Sequence, residues 1–527
     1  LITLEQVRPE RLEAYGGPIP TPAIAALAAD GILFENASTP IPLARPALAS
    51  LFLGLAPDRT NVRDEESDRL MPRARTLAAM FSERGFETAA FVSSPLASYS
   101  SGLDAGFAIF DGPEDLLVGP ARNFPPVRPA ADLAANFGKW IGTLPPGKNF
   151  FAWVHFADAR GFPAALADDP NSLSYQVALG EIDAGIGAIR NALSTRSRPV
   201  EIVVVGTQGA LLGEDGAFGD AFWLREESLR VPLVWSGGRA SEAGWRATRD
   251  TRRVDLLDVS ATVAPERIEN GEGANLFDGA SIPADRPRRA WSWATDDRFG
   301  WPTLSAVDIG GGWTVFEELE GERPAVPRER VLDDGLRGRL EAAGLRLGKG
   351  IDRPSAIPAD ANEQIREVHA VERALSNERP RIAWRKVRDV MEKRPDSLAL
   401  WTQRLFLASM TENREWISEP LAGALERFPG RPEVLHWAAH CAFALEDYPK
   451  AEALVEVAVR MGAGDADLYY DLACTRSLAG DHVASLDWLS KSIAAGYRNW
   501  DWMEKDPDLA GVRSHPGYAR LLQETTR

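Results

Sequence analysis

The sequence predicts an α/β protein, a mostly parallel sheet sandwiched by helices, followed by an all-α domain of helical repeats. Three observations carry this. Short apolar runs alternate with helical patterns up to about residue 310, and such alternation builds a parallel sheet covered on both faces. From about residue 360 helix follows helix with a recurring spacing. Between the two textures, GKGIDRPSAIPADAN is rich in Gly, Pro and Asp and reads as a linker. The expected organisation is an α/β domain over 1–315, a small tail and linker over 316–359, and helical repeats over 360–527.

In chain order, strands are expected at Leu1–Leu4, Thr88–Val92, Phe150–Phe156, Glu201–Val205 and Pro232–Trp235. Helical patterns lie between them at Pro22–Asp30, Thr76–Arg84 and Tyr175–Leu193. Ligands of such sheets bind outside the carboxyl ends of the strands, so the residues after Leu4, Phe156 and Val205 are where chemistry is sought. Gly310–Gly312 reads as a turn, and GGGWTVFEELEGERP as a hairpin with exposed charge. The run LITL stands first, without Met, so upstream residues are expected, with any signal or anchor among them.

Bulk composition narrows the function classes. With 45% hydrophobic and 26% charged residues, the 527-residue chain is ordinary for a soluble globular protein. Its net charge of −17 argues against nucleic acid as main partner, because neutralising phosphates needs a basic surface. No run of about 18 apolar residues is present, so no membrane span is expected. Cys441 and Cys474 fall among apolar helical residues and read as buried thiols.

The stretches LITLEQVRPERLEAYGG, TPAIAALAADGILFENAST, TPIPLARPALASLFLGLAPDRTNVR (Thr39–Arg63), FFAWVHF, IVVVGTQGALLGEDG and AFWLREESLRVPLVW together resemble the sulfatases of the alkaline phosphatase superfamily, over about residues 1–315. The resemblance implies a nucleophile, one or two divalent metals (Ca²⁺, Mg²⁺ or Zn²⁺), and carboxylate and imidazole ligands. The chain departs from the family pattern at each of these. Where the family's first strand ends in a metal-ligating Asp stands Glu5, followed by Gln6. The extra methylene displaces the carboxylate by about 1.5 Å. Glu10 and Arg11 replace an Asp-His pair. At the nucleophile, where the family carries Ser, Thr or Cys, stands Ala44, followed by Arg45, Pro46, Ala47 and Leu48. No formylglycine can form there. Asp58 and Thr60 replace two frequent histidines. Ala157-Asp158-Ala159-Arg160-Gly161-Phe162-Pro163 resembles an Asp-Pro-His-x-Pro loop in which Arg160 replaces His, and its fixed charge repels a metal. Thr207 and Gln208 replace an Asp and a His that bind metal, Asp215 replaces a later His, and Asp220 a His or Lys.

Of six histidines only His155 precedes residue 360, and its place inside a strand predicts a satisfied core residue. A metal site in this domain could draw only on Glu5, Asp158, Asp215, Asp220 and amides, an oxygen-only set suited to Ca²⁺ or Mg²⁺. Arg45 and Arg160 argue against it. The expectation is therefore no catalytic group, metal or cofactor, with Glu5, Gln6, Ala44, Arg45, Asp158, Arg160, Thr207, Gln208 and Asp220 as positions of a vestigial pocket. Arg8, Arg11, Arg45, Arg59 and Arg63 flank its mouth. They either pair with local acids such as Glu5, Asp58 and Asp64 or bind an anionic ligand.

In the C-terminal part, Leu445-Glu446-Asp447 and Ala479-Gly480-Asp481 stand 34 residues apart, with Ala451 matching Ser485, Leu454 matching Trp488, and Val459 matching Ile493. This spacing resembles tetratricopeptide repeats, and GYRNWDWMEKDPDLAGVRSHPGYARLL resembles the closing segment of bacterial repeat arrays. Stacked helix pairs leave an extended concave surface, so a protein partner docking on residues 360–527, within a larger complex, is expected. The resemblances together imply a non-catalytic sulfatase-like scaffold or accessory subunit. The alternatives are an active metal-dependent sulfatase or phosphatase with an unorthodox site, and a binder of sulfate or phosphate groups in the old pocket. Analogy with exported bacterial relatives implies a periplasmic or extracellular location.

Overall fold

The computed structural model describes the chain except residues 61, 66–67, 71–73, 114–126, 161–172, 215–217, 220–222, 266–271, 279–281, 284–285, 311, 319–331, 352–353, 377–379, 412, 462–465 and 526–527. The chain forms two compact units. One comprises 1–66, 70–324 and 354–369, the other 67–69, 325–353 and 370–527.

The first unit is built on an eight-stranded sheet. Its strands are β1 (Ile2–Leu4), β2 (Gly31–Ser38), β3 (Glu87–Val92), β4 (Ile109–Asp111), β5 (Phe150–Phe156), β6 (Glu201–Gly206), β7 (Leu233–Gly237) and β8 (Thr248–Asp255). They lie in the order β8-β2-β7-β6-β1-β5-β3-β4. β7 runs antiparallel to both neighbours and every other pair is parallel. The helices that cover it include α1 (Pro22–Ala29), α2 (Ala44–Leu53), α3 (Leu77–Glu83), α4 (Ala130–Thr143) and α5 (Leu173–Leu193). The mostly parallel, helix-sandwiched sheet is the architecture the sequence implies. β8, with the sequence TRDTRRVD, carries no apolar run because it is an edge strand, paired on one side only.

Alternation along the strands decides which residues meet which helices. Ile2 and Leu4 of β1 and Ala152, Val154 and Phe156 of β5 enter a core shared with Ile24 of α1, Phe137 of α4 and Ile182 of α5. Phe151 and Trp153 of β5 point the other way and pack with Leu48 and Phe52 of α2 and Leu77 of α3. Thr3 and His155 have the parity of this second face. So does Glu5, the first residue past β1. The start of α1 is capped from another helix: Asp183 of α5 accepts the N–H groups of Ala23 (3.0 Å) and Ile24 (2.9 Å). α2 ends at Gly54, whose φ of 62° suits a residue without a side chain.

A second, antiparallel sheet of three strands, β9 (Arg288–Ser292), β10 (Thr303–Asp308) and β11 (Trp313–Glu318), comes next in the chain. β11 is the first arm of the hairpin expected in GGGWTVFEELEGERP, but it pairs with the preceding β10. The second arm lies outside the described residues.

The second unit is helical. Its helices include α6 (Asp334–Ala342), α7 (Pro380–Met391), α8 (Leu398–Ser409), α9 (Arg414–Arg427), α10 (Pro432–Ala444), α11 (Tyr448–Arg460), α12 (Ala466–Leu478) and α13 (His482–Ala494). From Pro432 to Ala466, and from Tyr448 to His482, the step is 34 residues. The turns match as well. Glu446 has a φ of 61° and Gly480 one of 78°. Asp447 N–H reaches Ala442 O at 2.9 Å and Asp481 N–H reaches Arg476 O at 3.0 Å, so α10 and α12 close with the same left-handed cap. Ala451, Leu454, Ser485 and Trp488 are buried as the match requires, whereas Val459 is 41% exposed and Ile493 only 5%. The core equivalence therefore ends before that last pair. Cys441 and Cys474 are buried on α10 and α12. Among the described residues no helix is long and apolar enough to cross a membrane.

Glu446 occupies a backbone conformation that costs a residue with a Cβ about 1 kcal/mol. Glu446→Gly is expected to raise the stability of the helical unit by about that amount, read as a shift of its urea midpoint. An unchanged or lowered midpoint counts against the shared cap.

Candidate functional site

Three parallel strands end side by side at the centre of the large sheet. Leu4 of β1 is level with Phe156 of β5 and with Gly206 of β6. Glu5 N–H donates to Phe156 O (2.9 Å) and Thr207 N–H to Leu4 O (2.8 Å). The fold thus brings together Glu5 and Gln6, the segment 157–160, and Thr207 and Gln208, the strand-end positions singled out by sequence. Gln6 has a φ of 55°, rare for a residue with a Cβ. It is pinned by the Tyr175 hydroxyl, which donates to Gln6 O (2.9 Å) and accepts from Arg8 N–H (3.2 Å).

The side chains at these strand ends form one buried chain of hydrogen bonds. Trp153 Nε1–H donates to Thr3 Oγ1 (2.8 Å), and Thr3 Oγ1 lies 2.7 Å from His155 Nδ1. His155 Nε2 lies 2.7 Å from Glu5 Oε1. The tautomer that satisfies all three has Thr3 donating to Nδ1 and His155 donating from Nε2 to Glu5. Arg160 Nη1 donates to Glu5 Oε2 at 2.9 Å. Its Nη2 donates to Glu65 Oε2 at 2.7 Å, and Nη1 reaches Glu65 Oε1 at 3.4 Å. Finally Ala44 N–H, in the first turn of α2, donates to Glu65 Oε1 at 2.6 Å. Glu5, Arg160 and His155 have no exposed surface and Glu65 is 3% exposed. Burial alone would push the Glu5 carboxyl up; Arg160 and His155 outweigh it and hold the group at about 2. His155 is thus the satisfied interior residue expected from its place in a strand.

The remaining positions fall around this chain of bonds. Ala44 is completely buried, its methyl at the head of α2. Arg45 Nε donates to Leu96 O (2.7 Å) and its Nη2 lies 3.5 Å from Ser100 Oγ. Asp158 accepts Ala130 N–H at 2.8 Å through Oδ1, and its Oδ2 is buried without a partner among the described residues. Desolvation raises its carboxyl to about 6, against the pull of that hydrogen bond. The Thr207 hydroxyl, a single donor, lies within reach of both Leu4 O (3.2 Å) and Gln208 Oε1, and Gln208 Nε2 is buried without a partner among the described residues. Gly209 stands after them because a Cβ there would meet Glu227 O at 2.0 Å. Of the flanking arginines, Arg8 pairs with Glu10 and Glu214, and Arg59 with Glu272. Local acids do hold these two, although not the acids expected. Asp215, Asp220 and Gly161–Pro163 lie outside the described residues.

The described donor set does not fit a divalent cation. Both Glu5 oxygens are taken by His155 and Arg160, both Glu65 oxygens by Arg160 and Ala44 N–H, Thr207 and Gln208 bond each other, and a guanidinium stands between the two carboxylates. Sequence reasoning missed Glu65 and Thr3. The signal for Glu65 is charge: a buried arginine needs more anionic oxygen than Glu5 shares with it, and DEE at 64–66 is the nearest acidic run after α2.

A mostly parallel, helix-covered sheet with polar side chains gathered past its central strand ends is an architecture of α/β enzymes. The sulfatase family model matches residues 1–265, half of the chain, and the protein belongs to that family. A Delta 4,5-hexuronate-2-O-sulfatase of Bacteroides thetaiotaomicron is 39% identical over 72 residues, covering 13% of this chain and 15% of that protein. The chain therefore matches only a small part of that curated relative's length. Similar solved structures include a putative sulfatase from Bacteroides thetaiotaomicron (17% identity, TM-score 0.48, 65% of this chain and 89% of that one). Another is the phosphonate monoester hydrolase of Agrobacterium radiobacter (18% identity, TM-score 0.44, 70% of this chain and 95% of that one).

Because Glu5 titrates at about 2 when folded, against an ordinary 4.5, it contributes about 3 kcal/mol of stability. That contribution is complete above 4.5 and is lost as pH falls through about 2. Urea unfolding between pH 7 and pH 2 is expected to show Glu5→Gln lacking this increment, its curve converging on wild type in acid. Curves that stay parallel contradict the assignment. Arg160→Met, which strands two buried carboxylates, is expected to cost about 3–5 kcal/mol in the same measurement.

Proposed function

We propose that this sulfatase-family chain is a non-catalytic scaffold or accessory subunit, its α/β unit holding structure and its helical unit docking a protein partner. One observation carries the reading: at the head of α2 stands a methyl group, and the groups that would surround a reacting ester are consumed by the buried Glu5–Arg160–Glu65 chain of ion pairs. Fold retained beside altered site chemistry is how folds and functions separate. On this reading the chain works without a divalent metal. The 34-residue step and the matched caps of α10 and α12 support a tetratricopeptide-like array, a partner-binding architecture. Met410, Leu478 and Val483, each more than 60% exposed beside the helix turns, are apolar surface available to such a partner. A place outside the cytoplasm of a bacterium belongs to the same reading, and fractionation of the native host tests it.

A second reading is favoured by Asp158. A carboxyl held at about 6 beside the strand ends is placed in the range of a general acid or base. Family membership makes hydrolysis of a sulfate or phosphate ester the reaction in question, and binding of such a group without turnover is its weaker form.

Purified protein is expected to carry no stoichiometric divalent metal and to leave aryl sulfates and aryl phosphates unhydrolysed at any pH between 5 and 9. Turnover that disappears in Asp158→Asn establishes the second reading instead. For the docking role, the protein is expected to elute from native extract in a complex. Leu478→Asp is expected to release it with its melting temperature unchanged. Elution of wild type as a lone monomer removes that role.

A further inference from the structure

The Glu65 carboxylate is held like a bound ligand. It is 3% exposed and comes from a loop rather than from a strand or helix. Its Oε2 accepts from Arg160 Nη2 at 2.7 Å and its Oε1 from Ala44 N–H at 2.6 Å, with Arg160 Nη1 at 3.4 Å. The Ala44 donor opens a ten-residue helix whose N-cap, Leu43, supplies no side-chain cap of its own. A free helix N-terminus and a buried guanidinium each attract an oxyanion. Here both converge on one carboxylate delivered by the chain itself. On its other side Arg160 neutralises Glu5, as a bound cation would.

We propose that this is a self-liganded oxyanion site. Arg160 is the resident cation, and the Glu65 carboxylate is the resident guest. The proposal rests on the non-catalytic reading in one respect: the guanidinium, not a metal, supplies the positive charge. It explains why the first-turn N–H of α2 needs no cap from Leu43, and why a fully buried arginine is tolerated between two acids. It also identifies the class of molecule the site would take if Glu65 were absent: formate, acetate, or at most sulfate, held by Ala44 N–H and Arg160.

The test is chemical rescue in the full-length chain. Glu65→Ala empties the space, whereas Glu65→Gln keeps it filled with an uncharged group. Thermal melts are recorded in rising sodium acetate or sodium sulfate, against sodium chloride at matched ionic strength. Glu65→Ala is expected to melt well below wild type and to recover with acetate in a saturable manner. Wild type and Glu65→Gln are expected to respond to acetate no more than to chloride. If Glu65→Ala does not fold in chloride, refolding in acetate reads the same equilibrium. Acetate-dependent recovery supports the proposal, and recovery in neither salt overturns it. Equal acetate effects on all three proteins also overturn it, since the anion would then be acting elsewhere. Aryl sulfate turnover by wild type would sink the non-catalytic reading while leaving the rescue result to stand by itself.

Discussion

A guanidinium with no access to water has to be neutralised where it lies. Arg160 is shared between Glu5, at the end of the central strand, and Glu65, at the head of α2. Burying these ions forfeits several kcal/mol of hydration apiece, which only close, well-directed partners offset. The distances of 2.7–2.9 Å on both sides of Arg160 meet that requirement. The helix N–H on Glu65 and the imidazole N–H on Glu5 complete the satisfaction of the two carboxylates. The result is a mechanical link: β1, β5 and the start of α2 are tied through one side chain. The sheet's carboxyl edge, where α/β proteins usually leave a cleft, is cross-linked instead.

Much of this arrangement is legible in the sequence. The apolar runs of β1, β5 and β6 and the rule that chemistry sits past their carboxyl ends place Glu5, Arg160 and Gln208 in one neighbourhood. Strand parity then assigns Thr3, Glu5, Trp153 and His155 to a common face, because Ile2 and Leu4 demand the opposite one. Glu65 is not legible, for a physical reason. It sits in an aperiodic acidic stretch, where neither a 2-residue nor a 3.6-residue period fixes the direction of a side chain. Arg45 shows the complementary failure. It neighbours Ala44 in sequence, yet one helical step of about 100° carries its guanidinium to the Leu96 carbonyl.

The helical unit is readable through its turns more than through its helices. A left-handed residue at the end of α12 calls for glycine, and Gly480 answers it. The same backbone bend recurs at Glu446 with the wrong residue and the right neighbours, Leu445 and Asp447. Side-chain equivalence fades along the second helices: Ala451 and Ser485 are both buried, while Val459 and Ile493, further on, have diverged in exposure. Repeat identity is therefore strongest where the backbone is most constrained and weakest where packing can be met by many residues.

The same division runs through the α/β unit. Gly54 ends α2, Gly209 admits the Glu227 carbonyl and Pro46 lies within the first turn of α2; each answers to backbone geometry and would be costly to replace. The side chains past the strand ends answer only to charge balance and space. Once a guanidinium stands at Arg160, a carboxylate on either side is the arrangement that low dielectric requires, and a ligand needing a divalent ion there would meet a fixed positive charge first. Ala44 and Arg160 are, on these contacts, parts of one arrangement: the helix terminus at Ala44 holds an acid of the protein's own.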